Sequence, residues 1–512
     1  VGGKQPALRE RAEAPRSTRA VAAIFFALFA VLLLGTHLPY WDLPPYWDEL
    51  GQFVPASLDL FHFGDWIPTS TLPNVHPPGL MAYLAGVWTL TGYSITATRV
   101  AMLLMAAWGA LGAFLLAIRL TRGLPGYPAF AALAPLLASP LFFTQSMMAQ
   151  LDLPAMVFGT WAWLWFLEAG EDPRRHVWSA AACAAAVAMK ETAVLLPLLC
   201  AVVLVKRNQI RLALPYLAAP VLLGVWLIAL WGATGHPLGN REFAQYNAVY
   251  SLHPVRLLAG LSKRFYYLFL AEFRWIGLWA LLRAWRLPVF RTPEWRLTLV
   301  FAGMHLLMVT VLGGALLERY LLPVLPILYL AMAAAFAPGR RPWPFVAPAV
   351  LTLGLIFSNV WNPPYPFPFE NNLAVADFVE LHRGAAQCLE SAPPSARIAT
   401  AWPLSDALRR PEFGYTSRPR TVVETTDFSR GQLDRLAPSQ IDILVLYSRT
   451  WSPEFTLLNY APVRGFLTRF FGYEPPVSEI YLQERFGLYP NFRLTRRGQW
   501  VEIYSRTPLV VR

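Results

Sequence analysis

Apolar runs long enough to cross a bilayer follow one another from residue 20 to residue 361, and this repetition constrains the fold more than any other feature of the chain. A spanning helix needs roughly 20 mostly apolar residues, because the hydrocarbon core is about 30 Å thick and each residue rises about 1.5 Å. Candidate spans lie near 20–38, 99–119, 127–147, 152–168, 176–190, 191–206, 212–233, 264–282, 297–316, 318–337 and 343–361. Composition agrees. Only 14% of the 512 residues are charged and 56% are hydrophobic, against about 25% charged in a soluble domain. Most of this chain's surface therefore cannot face water. The expected fold class is a polytopic α-helical membrane protein of about 11 spans.

The basic residues set the expected orientation. Residues 1–19 form a basic N-terminus (Lys4, Arg9, Arg11, Arg16, Arg19), and the apolar run Val21 to Leu34 lacks a small-residue cleavage site, so it reads as a retained first span. The stretch 79–93 is apolar but short, and it decides the topology. If it lies along the interface, Arg119/Arg122, Arg174/Arg175, Lys206/Arg207/Arg211, Arg283/Arg286/Arg291/Arg296 and Arg340/Arg341 all fall on the side of the N-terminus, the cytoplasm. If it spans, all of them move outside, against the positive-inside tendency. The first arrangement makes 39–98 a large outer loop within a transmembrane module of residues 20–361. The net charge of +12 is then topological, since it punctuates apolar runs and forms no single stripe for nucleic acid.

After Trp361 the composition changes. Residues 362–371 are a proline-rich linker, stiff because proline fixes φ and donates no hydrogen bond. Residues 372–512 read as a soluble α/β domain outside the membrane. A helix over 373–390 precedes strand-like runs at 397–402, 420–425 and 441–447, and a hairpin over 492–504 turns at Arg497-Gly498. No glycine-rich phosphate loop follows any of these strands. Cys183, Cys200 and Cys388 have neither disulfide nor metal-site spacing.

On this topology the unusual polar residues converge on the outer face. Asp48-Glu49 sits in Tyr46-Trp-Asp-Glu, where aromatic and proline neighbours indicate a packed turn. Asp152 opens a span directly after a polar turn; it reads either as a helix cap, with Pro154 in the first turn, or as a site residue. Lys190-Glu191 interrupts a long apolar stretch, where charge is costly: either an internal ion pair or an anion-binding point. Arg319 is either an interface anchor or a phosphate ligand, its planar fork of donors suiting phosphate. His76 lies in His-Pro-Pro-Gly. Arg241, Glu242, Arg256, Lys263 and Arg264 read mainly as a solvated outer loop, one of them available to grip a substrate.

The order of a first span, Asp48-Glu49, Phe63-Gly-Asp-Trp-Ile-Pro, His76-Pro-Pro-Gly and Ala149-Gln-Leu-Asp-Leu-Pro resembles the GT-C glycosyltransferases, nearest to protein O-mannosyltransferases and the aminoarabinose transferases of lipid A. The resemblance covers residues 20–205 and returns in Arg319-Tyr-Leu-Leu-Pro-Val-Leu-Pro. It implies an enzyme of a cell (inner or plasma) membrane that transfers a sugar from a polyprenyl-phosphate donor to a protein or lipid acceptor at the outer face. It further implies that Asp48 is the catalytic acid of the first outer loop, with Glu49 and Asp152 as further catalytic residues. Donor phosphate would meet Lys190, Arg319 and, where relatives carry lysine, His76. A divalent cation would be held among Asp48, Glu49 and Asp152, although Pro154 occupies the position of a further ligand in some relatives. The rival class is a transporter or lipid flippase, which would place ionisable residues near the bilayer midplane in repeated halves. The acids of this chain lie at span boundaries instead.

Overall fold

The computed structural model describes residues 16–340, 342–363, 367–450, 457–475 and 477–509. Lys4, Arg9 and Arg11 of the basic N-terminus, Arg341, and residues 364–366 of the expected linker lie outside the described residues. Among them, five helices are long and apolar enough to cross a membrane: Arg19–Thr36, Ile95–Leu120, Ile210–Thr234, Pro293–Leu312 and Glu318–Phe336. A bent pair, Pro128–Ala138 and Pro140–Met147, makes a sixth if it is taken as one span. The helix Asp152–Glu168 has the expected bounds, whereas others, such as Leu195–Lys206 and Trp275–Ala284, are shorter than the sequence pattern predicts.

Local chemistry explains where the helices break. The run 127–147 bends by 64° at Ser139, whose ψ of 125° is extended as the residue before a proline prefers. The expected span 264–282 is two helices, Pro254–Phe269 and Trp275–Ala284. Between them Glu272 and Phe273 adopt left-handed φ values of 52° and 64°, and the Arg274 side chain is fully buried. The stretch 79–93 forms the helix Gly79–Thr91 of 13 residues. At about 1.5 Å per residue it reaches roughly 20 Å, too short for a core of about 30 Å. Burial sorts the long helices: Ile95–Leu120 and Glu318–Phe336 are central, whereas Arg19–Thr36 and Ile210–Thr234 are largely exposed apolar surface.

One end of the bundle gathers loop charges, with Arg119 paired to Glu171 and to Glu294 (2.7 Å). The opposite end meets the C-terminal sheet, whose order is β2-β1-β3-β5-β4. Strands β1 (Arg397–Ala401), β2 (Thr421–Thr425) and β3 (Ile443–Tyr447) are parallel. Strands β4 (Tyr489–Arg496) and β5 (Gln499–Ser505) form the expected hairpin, added antiparallel to β3. The turn is at Arg497-Gly498, both in the left-handed region. The helix Ala374–Glu390 packs on this sheet. All three cysteines are free and buried.

The sheet is fastened to the outer loop of the bundle by backbone-directed hydrogen bonds. Tyr415 Oη donates to the Pro45 carbonyl (2.9 Å), and Tyr93 Oη donates to that of Glu412 (3.2 Å). The Trp402 indole lies over Gly51, leaving no room for a Cβ there. Gly51→Ala is therefore expected to force Trp402 off the loop at a cost of about 1–3 kcal/mol, measured as a lower Tm of the purified protein with increased solvent quenching of tryptophan fluorescence.

Candidate active site

The acids of Tyr46-Trp-Asp-Glu point in opposite directions, and the backbone makes them do so. Trp47 is held at φ 46°, a left-handed conformation that a bulky residue adopts only when its surroundings enforce it. Glu49 begins a wide helical turn, Glu49–Phe53, and is fully buried. Its carboxylate accepts from the backbone nitrogens of Tyr46 (3.0 Å) and Ala149 and is paired with Arg99. Arg99 also donates to the carbonyls of Leu43 (2.9 Å), Pro44 (3.0 Å) and Met147 (2.7 Å). This buried bracket ties the first outer loop, the helix Ile95–Leu120 and the turn before Asp152 into one unit. Glu49 does not reach the cavity. The catalytic or metal-holding role expected for it gives way to an architectural one.

Asp48, turned the other way, lies on the wall of a cavity of about 760 Å³. That volume is in the range of small-molecule sites, about 300–1,000 Å³. The same cavity is lined by His76, Asp152, Lys190, Glu191, Arg319, Tyr320 and Glu370. The fold thus brings together five of the six residues expected from sequence: Asp48, His76, Asp152, Lys190 and Arg319. Their cations and carboxylates alternate. Arg319 pairs with Asp48 and with Glu370 (3.1 Å), has its Nε 3.4 Å from an Asp152 oxygen, and donates to Gln150 Oε1. Lys190 Nζ is 2.5 Å from the other Asp152 oxygen and 4.2 Å from the centre of the Tyr320 ring. His76 Nδ1 is 2.7 Å from Glu191, with Phe243 edge-on to the imidazole at 5.4 Å. Asp152 is the first residue of its helix, yet its carboxylate goes to Lys190 and Arg319, so the capping alternative does not describe it.

A metal does not fit this arrangement. Asp48 and Asp152 are already matched by Arg319 and Lys190, Glu49 faces Arg99, and no group of three metal-ligating side chains occurs among the described residues. Of the outer-loop residues expected to be solvated, Arg241 and Glu242 are exposed, whereas three cations are engaged by the protein. Arg256 donates to the Phe470 carbonyl (2.7 Å), Lys263 pairs with Glu318 (2.9 Å), and buried Arg264 donates to the Val309 carbonyl (2.7 Å).

Four contributors had no role in the sequence reading. Gln150 precedes Asp152 and donates to Glu370 (3.3 Å) while accepting from Arg319. Glu370 comes from the one-turn helix Phe369–Asn371, a segment read only as linker; its signal is a lone acid in Phe367-Pro-Phe-Glu, surrounded by residues that bury. Burial raises the pKa of its carboxyl to about 7, with Arg319 opposing and Asp48 adding to the rise. Trp402 and Arg449 of the sheet domain close the cavity from above, Trp402 edge-on to Trp47 at 5.1 Å and the Arg449 guanidinium 5.5 Å from the same ring.

Residues 75–231 match the profile of the dolichyl-phosphate-mannose-protein mannosyltransferase family. No curated protein matches the chain by sequence. Among solved structures, ArnT from Cupriavidus metallidurans in the apo state aligns with a TM-score of 0.53 at 16% identity, covering 96% of this chain and 98% of its own. The same protein bound to undecaprenyl phosphate aligns with a TM-score of 0.53 at 16% identity, over 96% of this chain and 99% of its own. At that identity the likeness establishes the fold, and the resemblance to GT-C glycosyltransferases read from the motifs holds.

The two adjacent acids should separate experimentally. Glu49→Ala leaves Arg99 buried without its counter-charge and should cost about 3–5 kcal/mol, seen as a large fall in Tm. Asp48→Asn, at the cavity wall, should leave Tm nearly unchanged.

Proposed function

We propose that this GT-C-fold chain transfers a sugar from a polyprenyl-phosphate carrier, such as an undecaprenyl or dolichyl phosphate, to a hydroxyl of a protein or lipid acceptor at the outer face of a cell membrane. The observation that carries this reading is Asp48 on a cavity wall, paired with Arg319, in a cavity that Lys190 also lines. An acceptor hydroxyl is a poor nucleophile, and a carboxylate within hydrogen-bond reach takes its proton as the oxygen attacks the anomeric carbon. The bond from that carbon to the carrier phosphate breaks at the same time, and the leaving oxygen gains negative charge. Fixed cations aimed at that oxygen lower the barrier, most strongly where water is excluded.

The roles divide accordingly. Asp48 is the base. Lys190 and Arg319 receive the phosphate, with the His76–Glu191 pair at the edge of the same space. A phosphate entering beside Arg319 competes with Asp48 for one guanidinium and leaves the carboxylate free to accept a proton. Asp152 keeps Lys190 and Arg319 aimed inward. Attack opposite the departing phosphate inverts the anomeric centre. Two cationic side chains, Lys190 and Arg319, stand where the charge develops.

The topology belongs to the same reading: about 11 crossings, the N-terminus in the cytoplasm, and the cavity and residues 372–512 outside. The gathering of Arg119, Glu171 and Glu294 at one end of the bundle and of the cavity at the other supports it.

Asp48→Asn, reconstituted in vesicles with a radiolabelled polyprenyl-phosphate sugar, should lose transfer by about 10²–10⁴-fold while inserting and folding normally; full activity would overturn the assignment. Lys190→Met should raise KM for the donor more than KM for the acceptor.

A further inference from the structure

Glu370 is anchored at the centre of the charge cluster although it reaches it from outside the helical bundle. Its Oε2 accepts from Arg319 Nη1 (3.1 Å) and from Gln150 Nε2 (3.3 Å), whereas Oε1 is buried without a hydrogen-bond partner. Three carboxylates, Asp48, Asp152 and Glu370, share two cations, Arg319 and Lys190. The His76–Glu191 pair is closed on itself. One negative charge in this buried cluster therefore lacks a counter-ion, and among the three acids only Glu370 has a fully buried oxygen without a hydrogen-bond partner.

The groups facing Glu370 are few. Asp48 and Tyr46 come from the first outer loop, Asp152 from the helix that begins there, and Arg319 and Tyr320 from the turn before the helix ending at Phe336. The helix Pro140–Met147 beneath brings no ionisable side chain. The helix Ala374–Glu390 packs Phe378 against Phe369, and its own buried acid, Asp377, is held by Arg496 and Arg497. Among the described residues, Arg319 is the one cation that forms an ion pair with Glu370.

Resting on the transferase reading, we propose that Glu370 is a positioning residue that takes up a proton from solvent when a lipid-linked phosphodiester binds, keeping Arg319 aimed into the cavity while the incoming charge is balanced. A phosphodiester brings one further negative charge beside Arg319, which disfavours every ionised carboxylate nearby. Asp152 keeps its short contact with Lys190, and Asp48 opens onto the cavity; Glu370, buried with one oxygen unpartnered and its carboxyl already raised by burial to about 7, yields first. The proton goes to the unpartnered Oε1, and Oε2 continues to accept from Arg319. The sign of the linkage follows. Below pH 7 the carboxyl of the free protein is already neutral and binding is insensitive to pH. Above pH 7 each binding event requires a proton, so affinity falls as pH rises, by at most about tenfold per unit for one coupled proton.

The test uses the full chain in nanodiscs and, as probe, a polyprenyl methyl phosphodiester, whose single charge is constant from neutral to alkaline pH. Titration calorimetry in two buffers of different ionisation enthalpy counts the protons taken up. The wild-type chain should take up a fraction of a proton that grows between pH 7 and 8.5, with Kd rising in parallel. Glu370→Gln, which keeps the acceptor for Arg319 but cannot titrate, should bind with a pH-independent Kd and no uptake. Glu370→Asp, a second variant that retains a titratable group, should retain the uptake with a displaced midpoint. Equal uptake in wild type and Glu370→Gln, or none in wild type, overturns the proposal while leaving the transferase reading intact. Failure of the diester to bind the wild-type chain at any pH overturns both.

Discussion

The buried pair of Arg99 and Glu49 is the interaction on which the rest of the site depends. Two charges removed from water are tolerated only when their remaining hydrogen-bonding positions are filled. Here three backbone carbonyls and two backbone nitrogens fill them, drawn from the first outer loop and from the turn between Met147 and Ala149. The pair therefore acts as a joint between segments far apart in sequence. Because Glu49 is pinned inward and Trp47 is held left-handed, Asp48 is left facing the opposite way, toward Arg319.

The same logic runs through the cavity. Arg319 serves three acids and shares one of them, Asp152, with Lys190, and each acid is oriented by a cation, so that rigidity comes from charge pairing instead of from regular secondary structure. Most of the participants sit at helix starts or in single turns: Asp48 just before a wide helical turn, Asp152 at a first helical position, Arg319 and Glu370 in 3₁₀ turns. Such places combine backbone freedom with proximity to the apolar bundle, whose low polarity strengthens each pair.

Much of this was legible in the sequence because charge inside an apolar chain is conspicuous. Asp152, Lys190 and Arg319 interrupt apolar runs, and cost alone marks them for a purpose. The hairpin and three of the strands followed from β-rich runs and turn residues, but not that the three are parallel. The misses have physical causes. Helix breaks at Ser139 and in Leu270–Arg274 hide in sequence because hydropathy averages over a window and does not register one residue's φ or the residue before a proline. Glu49 is placed in the site by its adjacency to Asp48, although neighbouring residues can point in different directions. Glu370 was passed over because a proline-rich stretch reads as a spacer, although an acid between buried aromatics has to be accounted for.

The bend at Pro140 has a consequence for how the reaction is located in depth. The helix Pro140–Met147 is turned by 64° from its predecessor, and its last carbonyl is fixed to Arg99. Gln150 and Asp152 follow within one turn of chain, so their height along the bundle is set by this kink and not by the loops above it. Insertions or deletions between Phe63 and Pro78 can reshape the mouth of the cavity without raising or lowering its floor. A protein built this way can change what it admits from the aqueous side while still reading the membrane side at a constant level.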